Sequence, residues 1–416
     1  MAERNLEALK EAARTAWLYT LPLVEIAATR QRGLGVGSRL NTFGHMRNLA
    51  NHTSRAVTTP NNDTFYSTAQ IDLSNGPVSL TLPVSGERYL SLALMDAYSN
   101  NFAILGTRTT GGDGGTFTLV GPTDAADGPN VVRSPTRQVW ALARILVDGP
   151  HDAEAAKQVQ TGISMQGPAV EPPAAPPHRS APWAEYFAGA AQLMADNRPP
   201  VTDRAVLKVM APLGLDAFDA ARFSPQEADA IEAGVAQARI DVRKGGLGGA
   251  FFVDGWSYPA ARLGDFGEDY GYRASVALAG LAALPPVEAM YMRAEGHLPR
   301  ALFDGNEAWR LHFPADQLLP VDSFWSLSLY EATPDGQFFF TDNPLDRYAI
   351  GDRTPGLKTN DDGSLDIWIG HADPGEDRRA NWLPAPAGPF ALFMRAYLPK
   401  PELLDGRYRL PPIEKV

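Results

Sequence analysis

Two short stretches of the sequence each combine an aspartate, a tyrosine and a pair of asparagines. The first is TPNNDTFYST at residues 59–68, and the second is LMDAYSNNFA at residues 94–103. A buried aspartate can act as a general base, whereas tyrosine hydroxyls and asparagine amides can donate hydrogen bonds to a substrate oxygen that gains negative charge. The two stretches therefore indicate a site for proton-transfer chemistry, provided that they meet at one edge of the fold.

Both stretches supply a base and hydrogen-bond donors, with the asparagine pair before the aspartate in the first stretch and after the tyrosine in the second. Asp63 and Asp96 are the predicted bases, and Tyr66 and Tyr98 are the predicted acids or oxyanion donors. The amides that would orient a substrate are Asn61, Asn100 and Asn101. A purely structural alternative exists, because Asn and Asp cap turns and buried tyrosines pack with their hydroxyls hydrogen-bonded. Spacing alone favours this alternative.

A third group of candidate residues lies in the C-terminal third, which is rich in aromatic residues and arginine. Trp325 and Arg347 are predicted to line a pocket for a partly apolar ligand, with the arginine available to an acidic group. The competing interpretation is that the aromatic residues form a core and that the arginines pair with neighbouring aspartates. The spacing does not separate these two interpretations.

Residue types that hold metals and cofactors are scarce. Cysteine is absent, which excludes disulfides, thiolate nucleophiles and zinc–thiolate sites. None of the seven histidines forms a pair at the usual metal-ligand spacing, and His45 and His52 would need a carboxylate such as Asp63 or Asp96. The glycine-rich stretch GGLGGAFF, residues 245–252, is predicted to be a turn, since no βαβ pattern surrounds it. We therefore predict no metal and no organic cofactor.

The overall charge excludes several classes of partner. The net charge of −11 argues against nucleic acid, which binds basic surfaces, and against anionic membrane surfaces. The N-terminal segment contains acidic residues and Pro22 where a signal peptide needs an uninterrupted apolar run, and no segment has the length and apolarity of a membrane span. These features predict a cytoplasmic protein with a small-molecule substrate or ligand.

The elements that must position the candidate residues are mainly strands. Short strands recur about every ten residues up to residue 150 and again from residue 286 onwards, which is typical of β-sandwiches or barrels. Helical patterns fill the intervening part, and an amphipathic helix with a kink near Pro22 opens the chain. The predicted organisation is an N-terminal β module with a leading helix (1–150), a helical linking region (151–285) and a C-terminal β module (286–416).

Long motifs in both β modules resemble a known pair of bacterial domains. NTFGHMR, TPNNDTFYSTAQIDLSNGPVSLTLP and RYLSLALMDAYSNNFAILGTRTTG resemble DUF 1254, and the region from FWSLSLYEATPDGQFFFTDN to FALFMRAYLPK resembles DUF 1214. The resemblance implies two antiparallel β-sandwich or barrel units, the second jelly-roll-like, with helical insertions. It also implies a homo-oligomer with a cleft near the module interface, and it names no reaction.

The resemblance adds residues to the predicted site. The polar signature of the family falls on nine residues: Asn41, His45, Asn61, Asp63, Thr64, Tyr66, Asp96, Asn100 and Asn101. His45 among them is a further candidate base. A family that combines Asn, Asp, Thr and Tyr in this order favours a site over a turn. The predicted function is a soluble, cofactor-independent lyase or hydrolase acting on a small, partly apolar molecule. A non-catalytic ligand-binding or sensory protein and a purely structural oligomer are the alternatives.

Overall fold

The computed structural model describes residues 5–245, 251–294 and 301–416. The central part of the glycine-rich stretch (246–250) and His297 lie outside these ranges. Within them the chain forms seven α-helices: α1 (Leu6–Gly35), α2 (Ala153–Gly162), α3 (Trp183–Asp196), α4 (Arg204–Met210), α5 (Pro225–Gly245), α6 (Tyr270–Ala279) and α7 (Pro401–Leu404).

Most of the strands are short and antiparallel to their neighbours. The described ranges contain β1 (Gly44–Met46), β2 (Thr64–Asp72), β3 (Val78–Leu82), β4 (Leu90–Asp96), β5 (Asn101–Gly106), β6 (Gly115–Val120), β7 (Val131–Arg133), β8 (Gln138–Leu146), β9 (Ser164–Gln166), β10 (Phe251–Val253), β11 (Trp256–Tyr258), β12 (Ala289–Ala294), β13 (Phe303–Asp304), β14 (Trp309–Phe313), β15 (Val321–Ala332), β16 (Phe338–Phe339), β17 (Ala349–Gly351), β18 (Leu365–Gly370), β19 (Trp382–Pro384), β20 (Pro389–Pro399) and β21 (Ile413–Lys415).

The N-terminal β unit consists of two facing sheets. A five-stranded sheet has the order β1-β2-β8-β4-β5, and a four-stranded sheet has the order β7-β6-β3-β9. Side chains alternate between the two faces of a strand, so Val78, Leu80 and Leu82 point into the space between the sheets, as their spacing predicts. They pack there against Phe65 and Ile145 of the five-stranded sheet.

The C-terminal β unit repeats this layered arrangement. Its large sheet runs β10-β11-β12-β20-β15-β16, with β13 beside β20 and β17 beside β15, and it faces the sheet β19-β18-β14-β21. Helices and strands each account for 28% of the chain. The predicted fold class is therefore confirmed as several antiparallel sheets with helical insertions, and none of the sheets in the described ranges closes into a barrel.

The helices form a third layer with its own core. α1 runs through Pro22 as one helix of 30 residues, and its buried face packs with α3, α4, α5 and α6. Asn5 caps its start by accepting hydrogen bonds from the backbone N–H groups of Glu7 and Ala8. The leading helix therefore packs mainly with the helical region, and the predicted boundaries at 150 and 285 stay a prediction. None of the helices in the described ranges could cross a membrane.

The two β units contact each other through the faces that point away from their own cores. Ala93 and Leu146 of the five-stranded sheet pack against Ala289, Phe324 and Tyr397 of the eight-stranded sheet. This contact layer buries polar residues as well as apolar ones, and it contains the N-terminal candidate Asp63 together with Ser326 of the other unit.

Candidate functional site between the two β units

Two rows of polar residues face each other across the contact between the units. In the five-stranded sheet Tyr66 lies opposite Arg144, and Arg144 lies opposite Ser91 on the next strand. Their chain neighbours Phe65 and Ile145 point into the N-terminal core. Since successive side chains point to opposite faces of a strand, this first row points towards the C-terminal unit.

The eight-stranded sheet supplies the second row. Arg395 in β20 lies opposite Tyr291 on one side and Ser326 on the other, while Met394 and Ala396 point into the C-terminal core. Tyr397 lies two residues further along β20 and therefore points to the same face as Arg395. We call Tyr66, Arg144, Tyr291, Arg395 and Tyr397 the tyrosine–arginine cluster.

The stretch 59–68 joins the two units at this cluster. Asn61 Oδ1 accepts a hydrogen bond of 2.6 Å from the backbone N–H of Asp63, and Asn61 Nδ2 donates one of 2.7 Å to the Tyr397 hydroxyl. The Asp63 carboxylate, which is 8% exposed, accepts a 2.6 Å hydrogen bond from the Ser326 hydroxyl. The stretch is thus a turn whose polar side chains contact the other unit.

The same stretch also attaches to the large sheet through its backbone. Thr59, in the left-handed conformation at φ 49°, donates from its N–H to the Phe338 carbonyl at 2.8 Å. The Tyr330 hydroxyl donates to the Pro60 carbonyl at 2.6 Å. We call residues 58–63 the connecting strap, because this N-terminal segment lies along the C-terminal sheet.

The two arginines of the cluster differ in how their N–H groups are used. Arg395 donates from Nη1 to Ser328 Oγ at 2.6 Å and from Nη2 to the Thr59 carbonyl at 3.1 Å. Arg144 donates from Nη2 to the Ala282 carbonyl at 3.0 Å, and its Cζ lies 5.5 Å from the centre of the Tyr66 ring. The buried Arg144 Nη1 has no hydrogen-bond partner in the described part of the chain.

Two tyrosines of the cluster, Tyr291 and Tyr397, are held in their protonated form. Burial raises the pKa of Tyr397 well above its usual value, and burial also raises the pKa of Tyr291, although the nearby Arg144 opposes that shift. Both hydroxyls can therefore donate hydrogen bonds at neutral pH. Tyr66 and Tyr291 remain partly accessible to solvent, whereas Arg144, Arg395 and Tyr397 are buried.

The second polar stretch forms a tight hairpin in which most polar groups are already paired, although the buried Ser99 Oγ and Asn101 Oδ1 lack a partner among the described residues. Asp96 Oδ1 accepts hydrogen bonds of 2.9 Å from the backbone N–H groups of Tyr98 and Asn100. The Tyr98 hydroxyl donates to the Asn197 carbonyl at 2.7 Å. Asn101 Nδ2 donates to the carbonyls of Gly264 and Ala283, each at 3.0 Å. These contacts fix the hairpin against the helical layer.

The two polar stretches lie at opposite ends of the five-stranded sheet. Asp63 is hydrogen-bonded through its carbonyl to Val147 just after β8, whereas Asp96 lies opposite Val139 near the start of β8. Eight residues of extended chain span roughly 26 Å at about 3.3 Å per residue. The structure therefore brings Asn61, Asp63, Thr64 and Tyr66 together and leaves Asp96, Tyr98, Asn100 and Asn101 elsewhere.

Two further candidates lie away from the cluster. The His45 ring Nδ1 is 2.8 Å from the Ser67 hydroxyl, and Ser67 lies on the opposite face of β2 from Tyr66. Burial, with a contribution from Arg47, lowers the pKa of His45. Asn41 Oδ1 accepts a 2.9 Å hydrogen bond from the Asp72 N–H and thereby ties the preceding loop to the far end of β2.

The C-terminal candidates do not form a pocket with the cluster. Trp325 is 5% exposed and packs inside the C-terminal core, with its ring centre 5.6 Å from that of Phe313. Arg347 donates from Nη1 to the carbonyls of Ala380 at 2.9 Å and Trp382 at 2.7 Å. The core interpretation describes Trp325, whereas Arg347 bonds to backbone carbonyls and not to the neighbouring aspartates that this interpretation expects. Thr64, by contrast, lies at the unit contact with a buried hydroxyl that lacks a partner among the described residues.

Within the described ranges, the side chains that could together hold a metal ion lie on the surface, away from the tyrosine–arginine cluster. His52, Asp342 and Asp346 bring possible ligand atoms within 4.8 Å of one another. The His52 ring Nδ1 lies 2.8 Å from the Tyr348 hydroxyl, which donates to Asp346 Oδ1 at 3.0 Å. The combination considered from the sequence, His45 and His52 with Asp63 or Asp96, is not assembled.

Sequence reasoning missed five residues of the site: Arg144, Tyr291, Ser326, Arg395 and Tyr397. A usable signal for two of them was present, since Arg144 and Arg395 interrupt the otherwise apolar strands ALARILV and LFMRAYL. A charged residue in the middle of a buried strand needs a partner, because burying an unpaired charge is costly. The arginines therefore marked the faces on which the two sheets meet.

Two family models match the chain in tandem. The first, described as a protein of unknown function (DUF1254), matches residues 40–167. The second, described as a protein of unknown function (DUF1214), matches residues 288–401. The first match contains Asp63, Tyr66 and Arg144, and the second contains Ser326 and Arg395, so each matched region contributes one side of the contact. No curated protein matches the chain.

A solved structure shows the same fold over the whole chain. The VPA0106 protein from Vibrio parahaemolyticus is 23% identical, with a TM-score of 0.76, and the alignment covers 98% of this chain and 100% of that one. A putative uncharacterised protein from Burkholderia cenocepacia is 13% identical with a TM-score of 0.44, over 98% of this chain and 94% of that one. The Vibrio structure supports the arrangement of layers and carries no statement about chemistry.

Proposed function

Because this chain belongs to the tandem DUF1254–DUF1214 family, we propose that its functional site lies where the two matched regions meet. The proposed activity is that of a lyase or hydrolase, without an organic cofactor, on a small and partly apolar organic molecule. The single observation that carries the proposal is the convergence of Asp63 with the tyrosine–arginine cluster between the two sheets.

Each group has a role that follows from its position. Asp63 is the proposed general base, since its buried carboxylate lies at the cluster and has one oxygen bonded to Ser326. The hydroxyls of Tyr66 and Tyr291 and the Arg144 guanidinium are the proposed donors to negative charge that develops on the substrate. The predicted alternative base, His45, faces away from this space and is left out of the proposal.

One observation favours the alternative of a non-catalytic ligand-binding protein. Asp63 Oδ2 is already engaged by the Ser326 hydroxyl at 2.6 Å, and Asn61 fixes the adjoining backbone. A carboxylate that is held in this way can serve to hold the units together and shape a binding site. In that case ligands would be retained at the cluster and released unchanged.

The test is to incubate the purified full chain with a mixture of small organic acids, esters and amides, and to follow every component by mass spectrometry. Loss of one component with appearance of its product supports the enzyme, and the Asp63→Asn variant must abolish that loss. Retention of a compound on the protein without any product supports the binding protein. Turnover that is unaffected by Asp63→Asn would contradict the proposed base.

The predicted homo-oligomer and cytoplasmic location are also kept as proposals. The support for an oligomer is the family resemblance alone. Light scattering of the intact chain measures its state, and a strict monomer at micromolar concentration would contradict the proposal. Fractionation of the native host tests the location, and recovery of the protein outside the cytoplasm would contradict it.

A further inference from the structure

Arg144 differs from the other buried arginines in what surrounds its charge. Arg30 has Asp72 among its electrostatic neighbours, Arg273 lies near Asp96, and Arg395 lies near Asp63. The main electrostatic neighbours of Arg144 are instead four tyrosines: Tyr66, Tyr291, Tyr397 and Tyr89. No described carboxylate lies within ion-pair distance of Arg144.

The nearest network that contains a carboxylate is already neutralised. Glu288 accepts a 2.8 Å hydrogen bond from the Tyr89 hydroxyl, and its other oxygen accepts one of 2.6 Å from Arg108 Nε. Glu288 is fully buried and holds Arg108 as its counter-ion. It therefore has no charge left over to balance Arg144.

A buried guanidinium with an unused N–H group is costly to the folded protein. Arg144 is only 5% exposed, it stays protonated at any physiological pH, and Nη1 has no hydrogen-bond partner among the described residues. Charges buried in proteins are normally paired, because an unpaired one loses its hydration without compensation. An anion bound at Nη1 would therefore provide the missing hydrogen-bond acceptor and balance the charge of Arg144.

We propose that Arg144 binds the carboxylate of a small organic acid, with the Tyr66 and Tyr291 hydroxyls completing the oxyanion contacts. Guanidinium and carboxylate groups match in geometry, and charge-assisted hydrogen bonds are among the strongest in proteins. Tyr66 and Tyr291 are partly accessible and their rings provide apolar walls beside Arg144, whereas Nη1 itself is buried, so an anion would contact Nη1 after these side chains move apart. The inference names the substrate class of the proposed function, and it rests on that proposal only for the location of the site.

The experiment measures binding of benzoate and phenylacetate, and of their neutral amides, to the wild-type chain by calorimetry. We expect each carboxylate to bind about 10-fold or more tightly than its amide, which corresponds to one charge-assisted hydrogen-bonded contact. The preference should vanish in Arg144→Gln and be weakened in Arg144→Lys, which keeps the charge but loses the planar fork. Arg30→Gln, another buried arginine outside the cluster, is the matched control and should keep the preference.

Several results would overturn the inference. They are equal binding of acid and amide, no binding of either acid at millimolar concentration, or loss of the preference in Arg30→Gln to the same degree. If the Arg144 variants do not fold, a crystal structure of the wild type with benzoate decides, since the carboxylate must contact Arg144 Nη1. Carboxylate binding without turnover keeps this inference and contradicts the enzyme proposal, whereas turnover of neutral compounds alone does the reverse.

Discussion

The stretches around Asp63 and Asp96 contain the same residue types and bury their aspartates to similar extents, yet they are used differently. Asp96 satisfies the backbone of its own hairpin, with both main partners within four residues. Asp63 reaches Ser326, which lies 263 residues further along the chain and in the other unit. Local partners indicate a structural turn, and distant side-chain partners indicate a site that the whole fold assembles.

The tyrosines of the two stretches show the same contrast. Tyr98 is fully buried and its hydroxyl donates to the Asn197 carbonyl. Tyr66 is partly accessible, stacks near Arg144, and its hydroxyl makes no hydrogen bond within the described residues. A hydroxyl that is accessible and unpaired beside a cation is available to a ligand, whereas the paired hydroxyl of Tyr98 is not.

The largest expected effect is on turnover in Asp63→Asn. If Asp63 is the base, removal of its charge lowers the rate by roughly 10²–10⁴-fold, because the amide cannot accept the proton. The comparison uses Asp96→Asn, which should change kcat/KM by no more than about 2-fold, within the range of indirect effects. Steady-state kinetics on the compound identified by mass spectrometry measures both. Equal losses in the two variants would erase the distinction between the stretches.

The next effect is on stability in Asp96→Ala. Removal of the carboxylate leaves the backbone N–H groups of Tyr98 and Asn100 without their acceptor inside a buried hairpin. We expect the free energy of unfolding to fall by about 2–4 kcal/mol, since each orphaned buried donor costs roughly 1–3 kcal/mol. Urea unfolding followed by circular dichroism measures the change. A variant as stable as wild type would show that the hairpin does not depend on Asp96.

A smaller effect separates the two tyrosines. Tyr98→Phe loses the hydrogen bond to Asn197 and should cost about 1 kcal/mol of stability, with turnover unchanged. Tyr66→Phe removes a hydroxyl without a described partner, so stability should change by less than about 0.5 kcal/mol while turnover or ligand affinity falls. Melting curves and kinetics on the same two preparations test both statements. If Tyr66→Phe lost stability and Tyr98→Phe lost turnover or ligand affinity, the roles given to the two tyrosines would be wrong.

The smallest effect is on the pH dependence of stability through Asp96. Burial raises the pKa of Asp96, although hydrogen bonds from Asn100 partly offset this shift. A raised pKa in the folded state means that its contribution to stability is complete below the unfolded-state pKa and is lost as pH rises through the folded-state pKa. The melting temperature of wild type relative to Asp96→Asn should therefore fall as the pH rises above the ordinary aspartate pKa of about 4. A difference in melting temperature between the two proteins that stays constant with pH would contradict a raised pKa of Asp96 in the folded protein.

Local patterns were enough to predict most elements. The alternation in VSLTLPV indicates which side chains enter the N-terminal core, and the Asp-Gly pairs in TPDGQ and NDDGSL are typical of hairpins. The first pair joins the paired strands β15 and β16, whereas the second lies before β18, which pairs with β14 and β19. Gly336 and Gly363 adopt φ values of 81° and 84° there, which other residues adopt only with strain. These features depend on neighbours in sequence, so the sequence alone carries the information.

The site depends on contacts that no local pattern records. Asp63 and Asp96 are equivalent as residue types, and only the packing of one sheet on another decides which of them meets Ser326 and Tyr397. The same holds for Trp325 and Ser326, which are adjacent in β15 but point into the core and into the unit contact respectively. The strand can be predicted from its residues, but the layer that covers each of its faces cannot.

The connecting strap makes each β unit depend on the other for hydrogen-bond partners. A chain that starts at residue 286 would leave the Phe338 carbonyl and the Arg395 Nη2 without the Thr59 groups that they contact. It would also expose the Tyr330 hydroxyl that now donates to Pro60. A gene exchange that moved one unit without the other would separate Asp63 from Ser326 and Thr59 from Arg395, so the contacts of the site are kept only when both units are transferred together.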